Sequence, residues 1–264
     1  MHRSFMWAAF WVGCVWFNPP VARAGDVTMY VVDSVNNLLT VDVETGTAHR
    51  IGPTFAQFTD IAFSPNGRLY GVTGRYLYEI DPTNGWSTLI GPHGFGEPES
   101  SNGIDSLTFD ANGMLFAAGN DILISIDPRT GVGTRVGSLS GYRSAGDLAV
   151  DAANRLLITT DSGRLVEAHR DGSGAASIGM LPYDDVYALG AADDGRLWGI
   201  RGTNEIVSVN GATGQATHSS RLHADFLVGR VWGGTFLSQA VPEPASLLLL
   251  LGGATILARR RTSD

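Results

Sequence analysis

The sequence predicts an all-β fold, a five-bladed β-propeller carried between two short export segments. Three observations predict it: glycine is abundant, at 34 of 264 residues, a strand-and-turn pattern recurs every 39 to 46 residues, and an unpaired apolar strand follows the last repeat. Glycine supplies the positive φ of tight turns, and many turns imply many short strands. We divide the chain into a signal peptide, residues 1–24, a propeller, residues 25–238, and a sorting signal, residues 239–264.

The first 24 residues have the pattern of a secretory signal peptide. Arg3 precedes an apolar run from Phe5 to Phe17, and Ala22-Arg23-Ala24 forms an A-x-A cleavage site before Gly25. We therefore expect export and cleavage after Ala24. The single cysteine, Cys14, lies in the segment to be removed, so the mature chain would have no disulfide and no cysteine-ligated metal.

The body contains five copies of an apolar strand that ends in a glycine-closed turn. The copies read LTVDVETG, LYEIDPTNG, ISIDPRTG, VEAHRDGSG and VSVNGATG, ending at Gly46, Gly85, Gly131, Gly174 and Gly214. Four copies are followed by a short strand with its own final glycine, namely Gly52, Gly91, Gly137 and Gly179. Two further strands joined by a tight turn precede the last four copies, as in IAFSPNGRLYGV. Each unit thus has four strands in about 43 residues, the size of a propeller blade.

The first unit lacks the strand that opens the others. It begins at VTMYVVDS, residues 27–34, whereas DFLVGRVWGG, residues 225–234, follows the fifth unit without a partner. In a ring this last strand can complete the first blade, which removes the free sheet edge. We predict that residues 226–232 pair with residues 29–32. Four or six blades stay open as alternatives, because residues 215–240 are long enough for a degenerate blade.

Apolar residues alternate along the predicted innermost strands, which indicates the face that packs against a neighbouring blade. The pairs are Ile61 and Phe63, Leu107 and Phe109, and Leu148 and Val150. Trp86, Trp198 and Trp232 are expected to pack between blades rather than to bind a ligand.

The body is acidic and contains no lysine. Residues 25–242 carry 24 carboxylates against 13 arginines, a net charge of −11. Such a surface repels nucleic acid and anionic lipid headgroups, so neither is an expected partner.

The C-terminus combines a proline hinge, an apolar block and an arginine cluster. The hinge is Val241, Pro242, Glu243 and Pro244; the block contains Leu247, Leu248, Leu249, Leu250 and Leu251; the cluster is Arg259, Arg260 and Arg261. As a helix, the uncharged residues 245–258 would be roughly 21 Å long, so a bilayer core of about 30 Å would have to thin around them. The arginines would remain in the cytoplasm. The alternative is a buried C-terminal helix, which five consecutive leucines without a polar face disfavour.

This order of features resembles the PEP-CTERM sorting signal, over residues 241–264. The resemblance implies a Gram-negative exporter in which an exosortase, a membrane protease, recognises the Pro-Glu-Pro stretch and cuts there. Residues 241–244 would be the processing site, and the helix a temporary inner-membrane anchor. The protein would then pass to the cell surface or the extracellular polysaccharide matrix. A permanent anchor facing the periplasm is the alternative.

The body resembles the broad class of propellers with NHL-like or WD40-like repeats, although it lacks the Trp-Asp dipeptide of WD40 repeats. This resemblance implies a fold but no specific activity.

An aspartate occurs near the predicted start of each innermost strand, at Asp60, Asp105, Asp147, Asp185 and Asp225. These starts would surround one mouth of the central channel, so the carboxylates are candidate ligands for a hard cation such as Ca²⁺. The first four precede the hairpin glycine or asparagine by 7, 8, 7 and 10 residues, so they need not share a level. The alternative assigns them to solvated turns and strand starts.

Two functional hypotheses follow from these patterns. The first is a noncatalytic surface or matrix protein that binds a saccharide or another exported protein, with residues 91–103 as the longest irregular loop and candidate contact surface. The second is a Ca²⁺-dependent propeller hydrolase or lyase that uses the carboxylates at the channel mouth. The sequence has no G-x-S-x-G, H-E-x-x-H or P-loop motif, and we favour the first hypothesis.

Overall fold

The computed structural model describes residues 27–96 and 103–237. The predicted signal peptide, the hinge Val241–Pro244, the anchor residues 247–251 and 259–261, and loop residues 97–102 all lie outside the described residues. Within the described ranges there is no helix with the length and apolar character needed to cross a membrane.

The described residues form twenty short strands separated by tight turns. They are β1 (Thr28–Asp33), β2 (Asn37–Asp42), β3 (Ala48–Pro53), β4 (Asp60–Phe63), β5 (Leu69–Val72), β6 (Tyr76–Ile80), β7 (Ser87–Pro92), β8 (Ser106–Phe109), β9 (Leu115–Gly119), β10 (Ile122–Ile126), β11 (Gly133–Ser138), β12 (Ser144–Val150), β13 (Leu156–Thr160), β14 (Arg164–Ala168), β15 (Ala175–Met180), β16 (Val186–Ala191), β17 (Leu197–Arg201), β18 (Glu205–Val209), β19 (Ala216–Arg221) and β20 (Val231–Phe236).

The strands assemble into five antiparallel four-stranded sheets, which confirms the five-bladed propeller. Blade 1 has the order β20-β1-β2-β3, and blades 2 to 5 contain β4–β7, β8–β11, β12–β15 and β16–β19 in sequence order. The innermost strands, β20, β4, β8, β12 and β16, contact one another around the central axis. Nearly all hairpin turns contain a glycine or asparagine at positive φ, for example Gly67 at 80° and Asn154 at 60°, as the turn residues indicate; the β5–β6 turn is the exception.

The ring closes through the last strand, as predicted. Strand β20 pairs antiparallel with β1, with Met29 opposite Phe236 and Val32 opposite Gly233. This pairing covers the edge of β1 and leaves blade 1 with the same four strands as the others.

The bounds predicted for the closing strand are partly wrong, because β20 begins at Val231 and residues 226–230 precede it. Most of their backbone hydrogen bonds are with side chains instead of a neighbouring strand, although the Arg230 carbonyl accepts from the Ser34 amide at 2.9 Å. The Gly229 amide donates to Asp33 Oδ2 at 2.9 Å, and Asn204 Nδ2 donates to the Gly229 carbonyl at 3.0 Å. Side-chain partners from two blades therefore replace the ladder here.

The core consists of one apolar cluster in each of the five interfaces between blades. Ile61 and Phe63 pack with blade 1 residues such as Leu38. Leu107 and Phe109 pack against blade 2. Leu148 packs against blade 3, and Val150 lies at the edge of the same cluster. The predicted facing of the innermost strands is thus confirmed. Trp198 is buried between blades 5 and 1, as expected.

The recurring glycines mark close backbone contacts between neighbouring blades. A Cβ on Gly52 would lie 1.9 Å from the Asn84 carbonyl oxygen of blade 2. The corresponding carbonyl oxygens of the next blades are equally close to the other three glycines. A Cβ would lie 2.3 Å from the Thr130 oxygen at Gly91, 2.6 Å from the Gly172 oxygen at Gly137, and 1.9 Å from the Thr213 oxygen at Gly179. A side chain at these positions would push two blades apart, so the second glycine of each repeat is required by packing.

The interface between blades 5 and 1 is built differently. Strand β19 has Ser220 where the other outer strands have glycine, and a Cβ on Gly46 would lie 2.2 Å from the Arg221 carbonyl oxygen. The chain then continues along blade 1, where His223 forms a parallel bridge with Thr47 and accepts a backbone hydrogen bond from Ala48 at 3.0 Å. The joint between the first and last repeats therefore has backbone hydrogen bonds of its own.

Candidate functional site

Two of the five predicted aspartates lie together on the propeller axis. Asp60 and Asp147 are fully buried, and their carboxyl groups are in hydrogen-bond contact. Both precede the turn residue of their hairpin by seven positions, so they occupy the same place in two repeats. We call these two side chains the axial pair.

Backbone amides of all five innermost strands donate to the axial pair. Asp60 Oδ1 accepts from Ile61 at 2.7 Å, and its Oδ2 accepts from Leu107 at 2.6 Å. Asp147 Oδ1 accepts from Leu148 at 2.5 Å, and its Oδ2 accepts from Leu189 at 2.5 Å and Gly234 at 3.3 Å. The innermost edges of five sheets would otherwise leave these buried amides without acceptors, which is costly.

Burial and mutual repulsion determine the electrostatics of the axial pair. Removal from water raises the pKa of Asp60 well above its usual range, and the nearby charge of Asp147 adds to that increase. Burial likewise raises the pKa of Asp147, while its amide donors and the hydrogen bond with Asp60 act in the opposite direction.

Asp105 lies just before β8, in a different environment. Its Oδ1 is sealed from solvent and has no hydrogen-bond partner. Burial raises the pKa of this carboxyl to about 7, although the hydroxyls of Ser144 and Ser106 and the charge of Arg143 favour the ionised form. A carboxyl of this kind changes charge near neutral pH.

The other two predicted ligands do not join this group. Asp185 pairs with Arg201, with Oδ1 2.7 Å from Nε, and Asp225 is exposed ahead of β20. Across residues 27–96 and 103–237, no three His, Cys, Asp or Glu side chains are grouped as ligands for one metal ion. The structure therefore brings together two of the five carboxylates, and Ca²⁺ binding stays an untested prediction.

Two grooves occupy the same place in blades 3 and 5, beside the turns that join the strands. They have volumes of about 660 and 620 Å³. Val132 lines the first and Gln215 the second, at the repeat position that directly follows the turn glycine. The turn residue Asn210 in the blade 5 groove uses its side chain to accept from the Ala212 amide at 2.9 Å. These grooves follow from the blade geometry, and their walls are mixed polar and apolar.

An exposed pair of aromatic rings lies at the rim between blades 1 and 2. Phe55 follows β3 and is 64% exposed; Trp86 precedes β7 and is 61% exposed. Their ring centroids are 4.6 Å apart and the planes are tilted by 57°. The prediction that Trp86 packs between blades is wrong, because most of its side chain is exposed. Trp86 occupies the same repeat position as Val132 and Gln215, at the rim. Trp232, by contrast, is half-buried. That shared repeat position is the sequence signal that would have placed Trp86 at the surface.

The candidate contact loop, residues 91–103, is described only at its two ends. The first part is tied to the body: His93 is buried, and its Nδ1 accepts from the Phe95 amide at 3.2 Å. Burial lowers the pKa of His93, so its imidazole is neutral at physiological pH.

No protein-family model and no curated protein matches the chain. Solved structures do match, and they share the fold. One chain of a nidogen–laminin complex is 12% identical with a TM-score of 0.57, and the match covers 80% of this chain and 98% of that one. A structural genomics protein of unknown function from Bacteroides thetaiotaomicron VPI-5482 is 13% identical with a TM-score of 0.56, over 80% of this chain and 62% of that one.

A third similar structure comes from work on the de novo evolutionary emergence of a symmetrical protein. It is 18% identical with a TM-score of 0.54, and the match covers 74% of this chain and 93% of that one. At such identities the likeness concerns the propeller fold alone.

Proposed function

We propose that the protein is an exported, noncatalytic binding module of the cell surface or extracellular polysaccharide matrix, and that its rim binds a neutral saccharide. The exposed pair Phe55 and Trp86 is the observation that carries this proposal. Delivery would follow the PEP-CTERM route, with exosortase-type processing at residues 241–244.

The ring pair has the properties of a recognition surface. Each ring is more than three-fifths exposed, although water contact with so much aromatic surface is unfavourable. Aromatic side chains with a free face are concentrated at binding sites, because they bury large areas with little loss of rotamer freedom. The C–H face of a pyranose ring is a suitable partner for such a surface.

The charge of the body narrows the class of ligand. A net charge of −11 over residues 25–242 opposes uronic-acid polymers and other polyanions. We therefore expect a neutral polysaccharide, and another exported protein is the alternative that the same assay would reveal.

The enzyme hypothesis has less support. It needs carboxylates free to bind a metal or a substrate at the channel mouth, but the axial pair is occupied by five backbone amides and Asp185 by Arg201. Dedicated hydrogen bonds of this kind are typical of structural carboxylates.

The binding test uses the full chain in nonionic detergent with dextran and cello-oligosaccharides as neutral probes and alginate as the anionic probe. We expect retention by a neutral probe, and Trp86→Ala and Phe55→Ala each to weaken it by about tenfold or more, the effect of removing an aromatic anchor. Leu227→Ala is the matched control, since Leu227 is another exposed apolar residue, at 77%. Equal retention of wild type and Trp86→Ala would show that the rim pair is not the binding site, and retention by alginate alone would contradict the ligand class.

Delivery is tested separately by mass spectrometry of the protein recovered from the native cell surface. A C-terminus between Pro242 and Ala245 is expected. An intact Asp264 at that location would contradict processing.

A further inference from the structure

The axial pair joins all five blades at one level. The repeat position of Asp60 and Asp147 is occupied by Ser106 in β8, by Ala188 in β16 and by Gly233 in β20. Two carboxyl groups thus satisfy the inner amides of five strands, and every blade depends on a side chain from blade 2 or blade 4. We propose that Asp60 and Asp147 share one proton and that this protonated pair holds the closing strand β20 in the ring.

One proton suits the geometry better than none or two. Two ionised carboxylates in contact would repel strongly where no water screens them, as in other paired carboxyl sites. Two neutral carboxyls would replace charged acceptors with weaker ones for five amides. A single shared negative charge satisfies the donors and avoids the repulsion.

The number of donors indicates which residue holds the proton. Asp147 accepts three amides and Asp60 accepts two. Since hydrogen bonds from amides favour the charged form, Asp147 is the carboxylate and Asp60 donates its proton to it.

Strand β20 lies against the axial pair but is held to it by the weakest of the five hydrogen bonds. A Cβ on Gly233 would lie 2.3 Å from Asp60 Oδ1, so the closing strand passes directly against that carboxyl. Its hydrogen bond, from Gly234 to Asp147 at 3.3 Å, is the longest of the five. Repulsion between two charged carboxylates would therefore loosen β20 first.

Other charged groups near the five innermost strands have partners elsewhere. Arg143, ahead of β12, pairs with Asp161, and Asp185, ahead of β16, pairs with Arg201. Arg230, ahead of β20, stacks on Tyr187 at 5.9 Å, and Asp105, ahead of β8, contacts the Ser106 and Ser144 hydroxyls. The titration of Asp105 near pH 7 is the one that the experiment must separate from that of the axial pair.

The sign of the pH dependence follows from the raised pKa values. The axial pair binds its proton more tightly in the folded chain than in the unfolded chain, so its contribution to stability is complete at acidic pH. That contribution declines as the pH rises from the ordinary aspartate range toward the raised pKa, because only the unfolded chain loses the proton there. We therefore expect stability to keep falling with rising pH until the folded pair loses its proton.

The test measures the Tm of the full chain in detergent from about pH 5.5, above the range of ordinary aspartates, to about pH 9.5, below the range of ordinary tyrosines. In Asp105→Asn, which lacks the neutral titration, Tm should fall by roughly 3–5 °C per pH unit for as long as the folded pair keeps its proton, and should level off once that proton is lost. Adding Asp60→Asn should abolish this slope, because the amide keeps a donor toward Asp147 and cannot ionise. Asp161→Asn, at a half-exposed ion pair, is the control and should keep the slope. An unchanged slope in the Asp60→Asn variant would overturn the proposal.

Two measurements keep the proposal testable if Asp60→Asn fails to fold. Infrared spectroscopy of Asp105→Asn at about pH 6, above the range of ordinary aspartates, should show a protonated carboxyl band; its absence would refute the shared proton. Amide exchange should then accelerate with alkaline pH more in β20 than in β8, beyond the intrinsic increase. Equal acceleration in the two strands would refute the role of the pair in holding the closing strand.

Discussion

Gly52→Ala should weaken the contact between blades 1 and 2. The new Cβ would lie 1.9 Å from the Asn84 carbonyl oxygen, whereas ordinary contact begins at 3.4 Å, so the outer strand of blade 1 and the turn of blade 2 must separate. A backbone carbonyl cannot rotate away as a side chain can, and overpacking of this kind costs about 1–3 kcal/mol. Loss of glycine freedom in the unfolded chain offsets about 0.4–1 kcal/mol.

We therefore expect a net loss of about 1.3 kcal/mol, seen as a Tm lower by roughly 3–5 °C in calorimetry and as an earlier denaturant midpoint with unchanged m. Gly74→Ala is the matched control, since the nearest atom to its Cβ would be Gly103 Cα at 3.8 Å and its φ is outside the left-handed region. That variant should be neutral or slightly stabilised. If Gly52→Ala stays within about 0.5 kcal/mol of wild type, as ordinary surface substitutions do, the interblade contact is not a constraint.

Two further predictions concern closure and pH. A chain that stops after Arg230 lacks β20, so the edge of β1 is bare, and circular dichroism and gel filtration should show it to be unfolded or aggregated. A chain that stops after Leu237 should fold. Equal behaviour of the two chains would contradict closure by β20. Asp105 has its pKa raised to about 7, so its contribution to stability is complete below the ordinary aspartate range, declines as the pH rises toward 7 and is lost above it. Asp105→Asn should make the Tm decrease between about pH 4 and 7 shallower than in wild type, and equal slopes in the two chains would refute the raised pKa of this carboxyl.

Repetition explains why the fold could be predicted from sequence. Each recurring feature has a reason in the backbone. The turn glycines adopt a positive φ, the second glycines of the repeats lie in close contact with the next blade, and the unpaired last strand covers an open sheet edge. The fourth repeat shows the limit of the pattern. There the contact with Gly137 is made by Gly172, two residues before Gly174, the glycine that closes the sequence pattern. Its turn has a different shape, which the spacing of glycines alone does not distinguish.

The candidate sites were harder to predict, because they depend on side chains that the repeat does not determine. Alignment to hairpin turns places Asp60 and Asp147 at one level, but their mutual contact arises only when five blades close around the axis. Asp105 and Asp185, displaced by one and three positions, then face other partners. The exposure of Trp86 depends in turn on the outer-strand geometry of blade 2 and on Phe55 from the preceding loop.

Ring closure also indicates where binding specificity can evolve in this protein. Glycines between blades and the acceptors on the axis are constrained by backbone contacts, so a change there affects the whole ring. The position directly before the outer strand has no such constraint in blades 2, 3 and 5, and its residues differ among the five blades: Thr47, Trp86, Val132, Gly174 and Gln215. In three blades this position lies at an exposed rim or groove, and only in blade 2 does it carry an aromatic ring with a second ring beside it. A ligand surface can therefore be added to one blade without disturbing closure, which is why the rim, rather than the channel, is the place to look for recognition.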